Sequence, residues 1–208
     1  MKVTLIAITG GSGAGKSWLA DHLARRLGSV AGRISLDDFY LSRSGTPLRD
    51  RAKLNFDHPK AIDWALFQKC IATLRRGETA RLPKYSYRIH NRLVTARPVV
   101  PRPLFLVEGL WLLRTAALRR LFALSVFVDC APEKRLARRL KRDLAHRARR
   151  RASVIGQFKT QVAPMHDRFV APQAKHADLV FQSPIRKRDV DLLETHLRLV
   201  LELPSALT

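Results

Sequence analysis

Two hydrophobic periodicities alternate along this chain. Residues 2–9 (KVTLIAIT), 33–36 (RISL), 103–109 (PLFLVEG), 124–129 (LSVFVD) and 177–182 (ADLVFQ) are short and almost continuously apolar. Runs of that length without polar alternation are the pattern of strands covered on both faces, as in a parallel sheet. Between them, apolar residues recur three and four positions apart. Trp18, Leu19, Leu23 and Leu27 do so over 16–27, and the same spacing predicts helices over 62–74, closed by Gly77, and over 133–146, 154–169 and 189–201. Strands alternating with helices predict an α/β fold, a parallel β-sheet flanked by helices.

Residues 79–102 depart from both periods. They carry Pro83, Pro98 and Pro101 between short alternating stretches around TARLPKYSY and LVTARPVV. That pattern predicts a small β-hairpin arm carried on the core. The segment 133–157 is very basic and includes the run RARRR at 147–151. No internal repeat or linker interrupts the alternation, so 1–208 is expected to form one domain.

Composition narrows the function classes. The chain has 208 residues, 46% of them hydrophobic, enough for a proper core and against wholesale disorder. No apolar run reaches the roughly 18 residues of a transmembrane helix. The N-terminal stretch is too short for a signal peptide before it meets a glycine cluster. Cys70 and Cys130 have no pair spacing and no neighbouring His cluster, which argues against a disulfide framework or structural zinc and for a reducing cytoplasm. The 39 Lys and Arg against 17 Asp and Glu leave a net charge of +22. Such a balance favours polyanionic partners. No motif that reads RNA or DNA accompanies it, so the expected anion is a nucleotide rather than nucleic acid.

A candidate site for that anion is Gly10-Gly11-Ser12-Gly13-Ala14-Gly15-Lys16-Ser17. It satisfies G-x-x-x-x-G-K-[ST] and lies between a predicted strand and a predicted helix. Glycines let successive backbone N–H groups converge on phosphate oxygens. Lys16 adds a point charge for the β and γ phosphates, and Ser17 a hydroxyl for Mg²⁺. The chain has no guanine-reading NKxD motif. In a parallel sheet the reacting groups gather at the carboxyl ends of strands, where Asp37, Asp38 and Glu108 fall. Phosphoryl transfer to a hydroxyl needs a carboxylate at the acceptor and a metal held against the phosphates. Asp37 suits the first task; Glu108, with Ser17 and Asp37, supplies oxygen donors for the second. Taken alone, each acid could also be a helix cap or a solvated strand-end carboxylate.

These residues bring a resemblance into view. GGSGAGKS (10–17), DDFY (37–40), NFDHPKAID (55–63), PKYSYRIHNR (83–92), LVEGL (106–110), FVDCAPEKRLARRLKRD (127–143) and QFKTQVAPMHDRFVAPQAKHADLVF (157–181) run in order across nearly the whole chain. They resemble the uridine kinase branch of the uridine kinase/phosphoribulokinase family of phosphate-loop kinases. The resemblance implies phosphorylation of the 5′-hydroxyl of uridine, and of cytidine, with Mg²⁺ and ATP or GTP as donor. It implies that Asp37 is the base at that hydroxyl with Tyr40 beside it, and that Asp57 accepts from the ribose diol. Tyr85, Tyr87 and His90 become the base pocket, with Tyr87 as a stacking ring. Arg139 and Arg142 belong to an arginine-rich lid over 133–157 that neutralises phosphoryl charge. Arg149 and Gln157 match positions that contact the nucleoside, and a homo-oligomer, tetramer or dimer, is implied. The sequence departs from relatives at Asp38, an extra acid that leaves open which of the two carboxylates is the base, and at RARRR, which lacks the usual glycine.

Overall fold

The computed structural model describes residues 3–51, 53–146 and 149–202. In chain order its elements are β1 (Thr4–Gly10), α1 (Lys16–Leu27), β2 (Ala31–Ser35), a single turn α2 (Leu48–Arg51) and α3 (Trp64–Arg75). Four short strands follow, β3 (Ala80–Leu82), β4 (Tyr85–Ser86), β5 (Asn91–Arg92) and β6 (Arg97–Val99). Then come β7 (Leu104–Gly109), a turn α4 (Ala116–Arg119), β8 (Leu124–Asp129), α5 (Pro132–His146), α6 (Arg151–Gln157), α7 (Ala163–Met165), β9 (Leu179–Gln182) and α8 (Lys187–Val200).

The central sheet has the order β2-β7-β1-β8-β9, all parallel. Because side chains alternate across a strand, consecutive apolar residues feed two cores. Leu5 and Ala7 of β1 join Phe105 and Val107 of β7 and Phe67, Ile71 and Leu74 of α3 on one face. Ile6 and Ile8 join Leu104 and Leu106, with Leu19 and Leu23 of α1 and Leu193 and Leu197 of α8, on the other. This double coverage is why these strands read as unbroken apolar runs. Glu108 lies level with Ile8 and with Ser35 in the ladders, so the loops leaving β1, β2 and β7 emerge at one end of the sheet.

The expected parallel α/β architecture stands, with local corrections. The helix expected over 62–74 starts at Trp64, because the Asp63 carboxylate accepts from the Leu66 N–H and caps it. The arm is two ladders rather than one hairpin: β3 pairs with β6 and β4 with β5. The helix expected over 154–169 begins at Arg151 and continues to His176. It widens into π turns at Phe158–Val162 and His166–Val170, where Ala163 N–H reaches Phe158 O and Ala171 N–H reaches His166 O. Pro164, between them, has no N–H to give to the turn before it. Residues 147 and 148 of the RARRR run lie outside the described residues.

Candidate active site

The phosphate loop is shaped by what its glycines exclude. Gly10 has φ 142, and a Cβ there would sit 2.4 Å from the Val128 carbonyl oxygen; Gly13 has φ 82, and a Cβ there would sit 2.6 Å from that of Arg135. Only glycine meets both demands. α1 begins at Lys16, directly behind the loop, so its N-terminal N–H groups face the space the loop encloses. Lys16 is buried and bends back, its Nζ donating to the Gly11 carbonyl at 2.9 Å. Burial holds the ammonium pKa below its ordinary value; Glu108 and Asp37 pull it back up in part, and Arg142 and Arg135 add to the fall.

A cavity of about 260 Å³ opens beside the loop. Ser12, Gly13, Gly15, Lys16 and Ser17 form one wall; Asp37, Tyr40, Asp57, Tyr85, Tyr87, His90, Glu108, Arg139, Arg142, Arg149 and Gln157, with Trp18, Phe56, Leu110 and Arg138, form the rest. Most of the residues expected from the sequence are thus brought together. Gly10, Gly11 and Ala14 shape the loop without lining this cavity.

Asp37 sits in a 3₁₀ turn, Leu36–Phe39, directly after β2. Its Oδ2 accepts from the Tyr87 hydroxyl at 2.6 Å. Tyr87, expected as a stacking ring, therefore spends its polar end on the acid. Asp38 points elsewhere. Its carboxylate is 3.7 Å from Arg97 and accepts from the Tyr85 N–H, so it ties the arm to the core. Burial pushes its pKa up and Asp37 adds to that, while Arg97 and the Tyr85 N–H pull it down. Asp38 lines a second, wider cleft of about 810 Å³ between β2 and the arm, whereas Asp37 lines both spaces.

The arm brings aromatic rings over the cavity. Tyr40 and Tyr85 lie 4.9 Å apart, and Tyr85 and Tyr87 5.3 Å. The Tyr40 hydroxyl donates to the Phe56 carbonyl at 3.1 Å, and burial holds its pKa well above the phenol value. His90, at φ 46, stacks on Phe56 at 5.4 Å and 23°. Glu108 is buried, and its Oε1 accepts from Arg33 at 2.9 Å and from Ser35 at 2.7 Å.

The lid side is a network of arginines. Arg139 donates to Ser12 Oγ at 3.1 Å and to Gln157 Oε1 at 2.8 Å, and lies 4.0 Å from Asp57. Arg149 also donates to Gln157 Oε1. Asp143 is fully buried and pairs with Arg142 at 2.8 Å and with Arg139 at 3.6 Å. One buried carboxylate thus orients two arginines toward the cavity. Sequence reasoning missed Asp143 and the cavity-lining Phe56, Leu110, Arg138 and Trp18. Phe56 and Leu110 lie inside blocks singled out for their polar neighbours. The spacing Arg139 and Asp143, four apart on α5, was a readable signal.

Residues 5–191 match the model of the Phosphoribulokinase / Uridine kinase family. The chain belongs to that family. It is 34% identical over 198 residues to a uridine kinase of Clostridium perfringens, covering 94% of this chain and 95% of that one. It is 39% identical over 178 residues to a uridine kinase of Chloroflexus aurantiacus, covering 85% of each. Its fold is like that of the phosphoribulokinase from Rhodobacter spheroides, with a TM-score of 0.63 at 19% identity over 87% of this chain and 70% of that one. Within the family fold, the loop at Gly10–Ser17 and the acids at the strand ends occupy the carboxyl edge of the sheet, where α/β proteins bind ligands. No helix among the described residues is long and apolar enough to cross a membrane.

Proposed function

We propose that the protein is a pyrimidine nucleoside kinase, transferring the γ-phosphoryl group of ATP or GTP to the 5′-hydroxyl of uridine and cytidine. One observation carries the reading: the phosphate-loop groups Lys16 and Ser17 open on the same cavity of about 260 Å³ as Asp37, Asp57, Tyr85 and His90. A donor phosphate and a small hydroxylated acceptor can therefore meet with no large rearrangement of the core.

The chemistry follows from the residues. Asp37 orients the acceptor hydroxyl and takes its proton as the oxygen attacks in line. The Tyr87 hydroxyl fixes that carboxylate through Oδ2. Lys16, freed from the Gly11 carbonyl, follows the transferring phosphoryl group. Arg139 and Arg142, held by Asp143, neutralise its developing charge. Asp57, buried beside Arg139, accepts from the ribose diol. His90 and Tyr85 take the pyrimidine edge; a neutral imidazole can donate to O4 of uracil or accept from the 4-amino group of cytosine. The residues also fit magnesium. Ser17, Glu108 and Asp37 form an all-oxygen donor set that would hold a hard cation. Among the described residues no group of three His, Cys, Asp or Glu forms a cage, as suits a metal shared with substrate phosphates. A magnesium ion held there would supply neutralisation of phosphate charge.

The test is a nucleoside panel with coupled ADP detection. Uridine and cytidine should be turned over, 2′-deoxyuridine at least about tenfold less well in kcat/KM for want of one diol hydroxyl, and adenosine hardly at all. Preference for a purine nucleoside or for a sugar phosphate would overturn the reading.

A further inference from the structure

Trp18 is the oddity of the phosphate-loop region. It is the third residue of α1, directly after the loop, yet it is 50% exposed. Indoles are costly to leave in water, and neither core cluster uses this one. It is not disordered surface. His22, four residues on along the helix, stacks on it at 5.1 Å and 12°. One face of the indole is thereby covered and its orientation fixed, while half of its area stays open.

What the open part faces is a cavity of about 350 Å³, separate from the nucleoside cavity and lined by Gly15, Trp18, Arg138, Ser183, Pro184 and Ile185. Gly15, Trp18 and Arg138 belong to both spaces, and Asp37 lines only the first of the two, so the second adjoins the phosphate loop on the side away from Asp37. Its walls are mostly faces: an indole, a proline ring and an isoleucine. Its polar side chains are largely committed to each other and to the loop. Arg138 Nη1 donates to Ser183 Oγ at 2.6 Å and to the Gly13 and Ala14 carbonyls at 3.2 and 3.1 Å.

We propose that Trp18 is the stacking platform for the nucleobase of the phosphoryl donor, and that it reads the face of that base rather than its edge. A flat heteroaromatic ring tethered to phosphates in the loop is the ligand class that suits a preoriented indole beside an apolar cavity. The assignment rests on the reading of a nucleoside triphosphate donor given above. Recognition by a face tolerates adenine and guanine alike, since each has a π surface to offer. It follows that ATP and GTP should serve as donors with affinities within about tenfold of one another.

The test uses the full chain without any nucleoside acceptor, so that it does not depend on which acceptor is used. Mg-ADP, Mg-GDP and Mg-tripolyphosphate are titrated by calorimetry and by tryptophan fluorescence, in wild type, Trp18→Ala and Trp18→Phe. In wild type the two nucleotides should quench fluorescence and tripolyphosphate should bind without quenching. Trp18→Ala should weaken both nucleotides by about 5- to 150-fold, as expected for loss of one base–aromatic stack, and leave tripolyphosphate unchanged. Trp18→Phe should restore most of the affinity and remove most of the quench. Because Trp18 is half exposed and Ala is the better helix former, the variant is expected to fold, and circular dichroism checks it. Equal weakening of all three ligands would overturn the proposal and make Trp18 a support of the loop. Unchanged nucleotide binding in Trp18→Ala would overturn it outright while leaving the kinase reading intact. Failure of all three ligands to bind wild type would overturn both.

Discussion

The phosphate loop and the pocket proposed for the nucleoside share one cavity and are built in opposite ways. The loop is eight consecutive residues, and its recognition atoms are backbone N–H groups together with Lys16 and Ser17, on a backbone where Gly10 and Gly13 leave no room for a Cβ. The pocket is made of side chains from five places: Asp37 after β2, Phe56 and Asp57 before α3, Tyr85 to His90 on the arm, Arg139 on α5 and Gln157 on α6. A loop that meets only the donor phosphates, as proposed, is insensitive to which acceptor is present. A side-chain site discriminates, and each of its members can be removed singly. The difference predicts two kinds of damage: losses on the loop side that are the same for every acceptor, and losses on the pocket side that depend on the nucleoside.

The largest effect should come where the two meet. Asp37→Asn keeps the shape and the Tyr87 contact but removes the proton acceptor, and general-base loss costs roughly 100- to 10,000-fold in kcat. Asp38→Asn should be much milder and should act through KM, because Asp38 is tied to Arg97 and the Tyr85 N–H rather than facing the loop. A reversed ranking in steady-state kinetics would pass the base role to Asp38. Next in size, Lys16→Ala should lower kcat by about 100- to 1,000-fold, the usual loss for one preorganised group at developing charge. The factor should be equal for uridine and cytidine; unequal factors would break the distinction between a loop that serves all acceptors and a pocket that selects.

Asp57→Asn probes the pocket side. Kinetics with uridine should show a rise in KM worth about 1–3 kcal/mol, while calorimetry with Mg-ADP should find affinity unchanged. Arg139 makes this a sharp test. It lies 4.0 Å from Asp57 and also donates to Ser12 of the loop at 3.1 Å. If Asp57→Asn weakened Mg-ADP as much as uridine, Arg139 would couple the regions so tightly that they are one site.

The same contrast governs what could be read from the sequence. The loop was legible because its information is local: the spacing of four glycines, Lys16 and Ser17 specifies the backbone by itself. The sheet was legible for the same reason, since doubly covered strands such as Leu104–Gly109 carry their burial in their own composition. The pocket residues could be named through the resemblance, but their partners could not. Tyr87 donating to Asp37 spans 50 positions, and Arg139 reaching Ser12 spans 127. No periodicity encodes such pairs. For Asp143 the sequence offers only its spacing of four from Arg139; its complete burial against Arg139 and Arg142 reveals its task. The π turns around Pro164 were invisible because the apolar spacing of Val154, Phe158 and Val162 is that of an ordinary helix.

The smallest effect concerns the underside of the loop, where His166 lies outside the cavity proposed for the nucleoside. His166 lies on the π-helical stretch beneath Gly11, where a Cβ would come within 2.9 Å of both its ring and the Arg135 guanidinium. Burial lowers its pKa and the Arg135 charge lowers it further; Asp167, 3.2 Å away, opposes them without reversing the direction. The folded protein therefore keeps this imidazole neutral at a pH where the unfolded chain protonates it. As pH falls through the unfolded value near 6.5, the unfolded state binds the extra proton and stability drops. The loss grows until the pH passes below the lowered folded value and then levels off. Above about pH 7 the group contributes no slope. Thermal melts of wild type and His166→Gln between pH 8 and pH 5 measure it. The wild-type Tm should fall more steeply over that window, and since each kcal/mol corresponds to about 2–4 °C at this chain size, the difference should be of that order or smaller. Donor binding should be little changed in the variant at pH 8, because the imidazole sits behind the loop and carries no charge there. Parallel melting profiles for the two proteins would mean that His166 titrates as it does in the unfolded chain, and that the loop's underside is as open to water as the cavity above it.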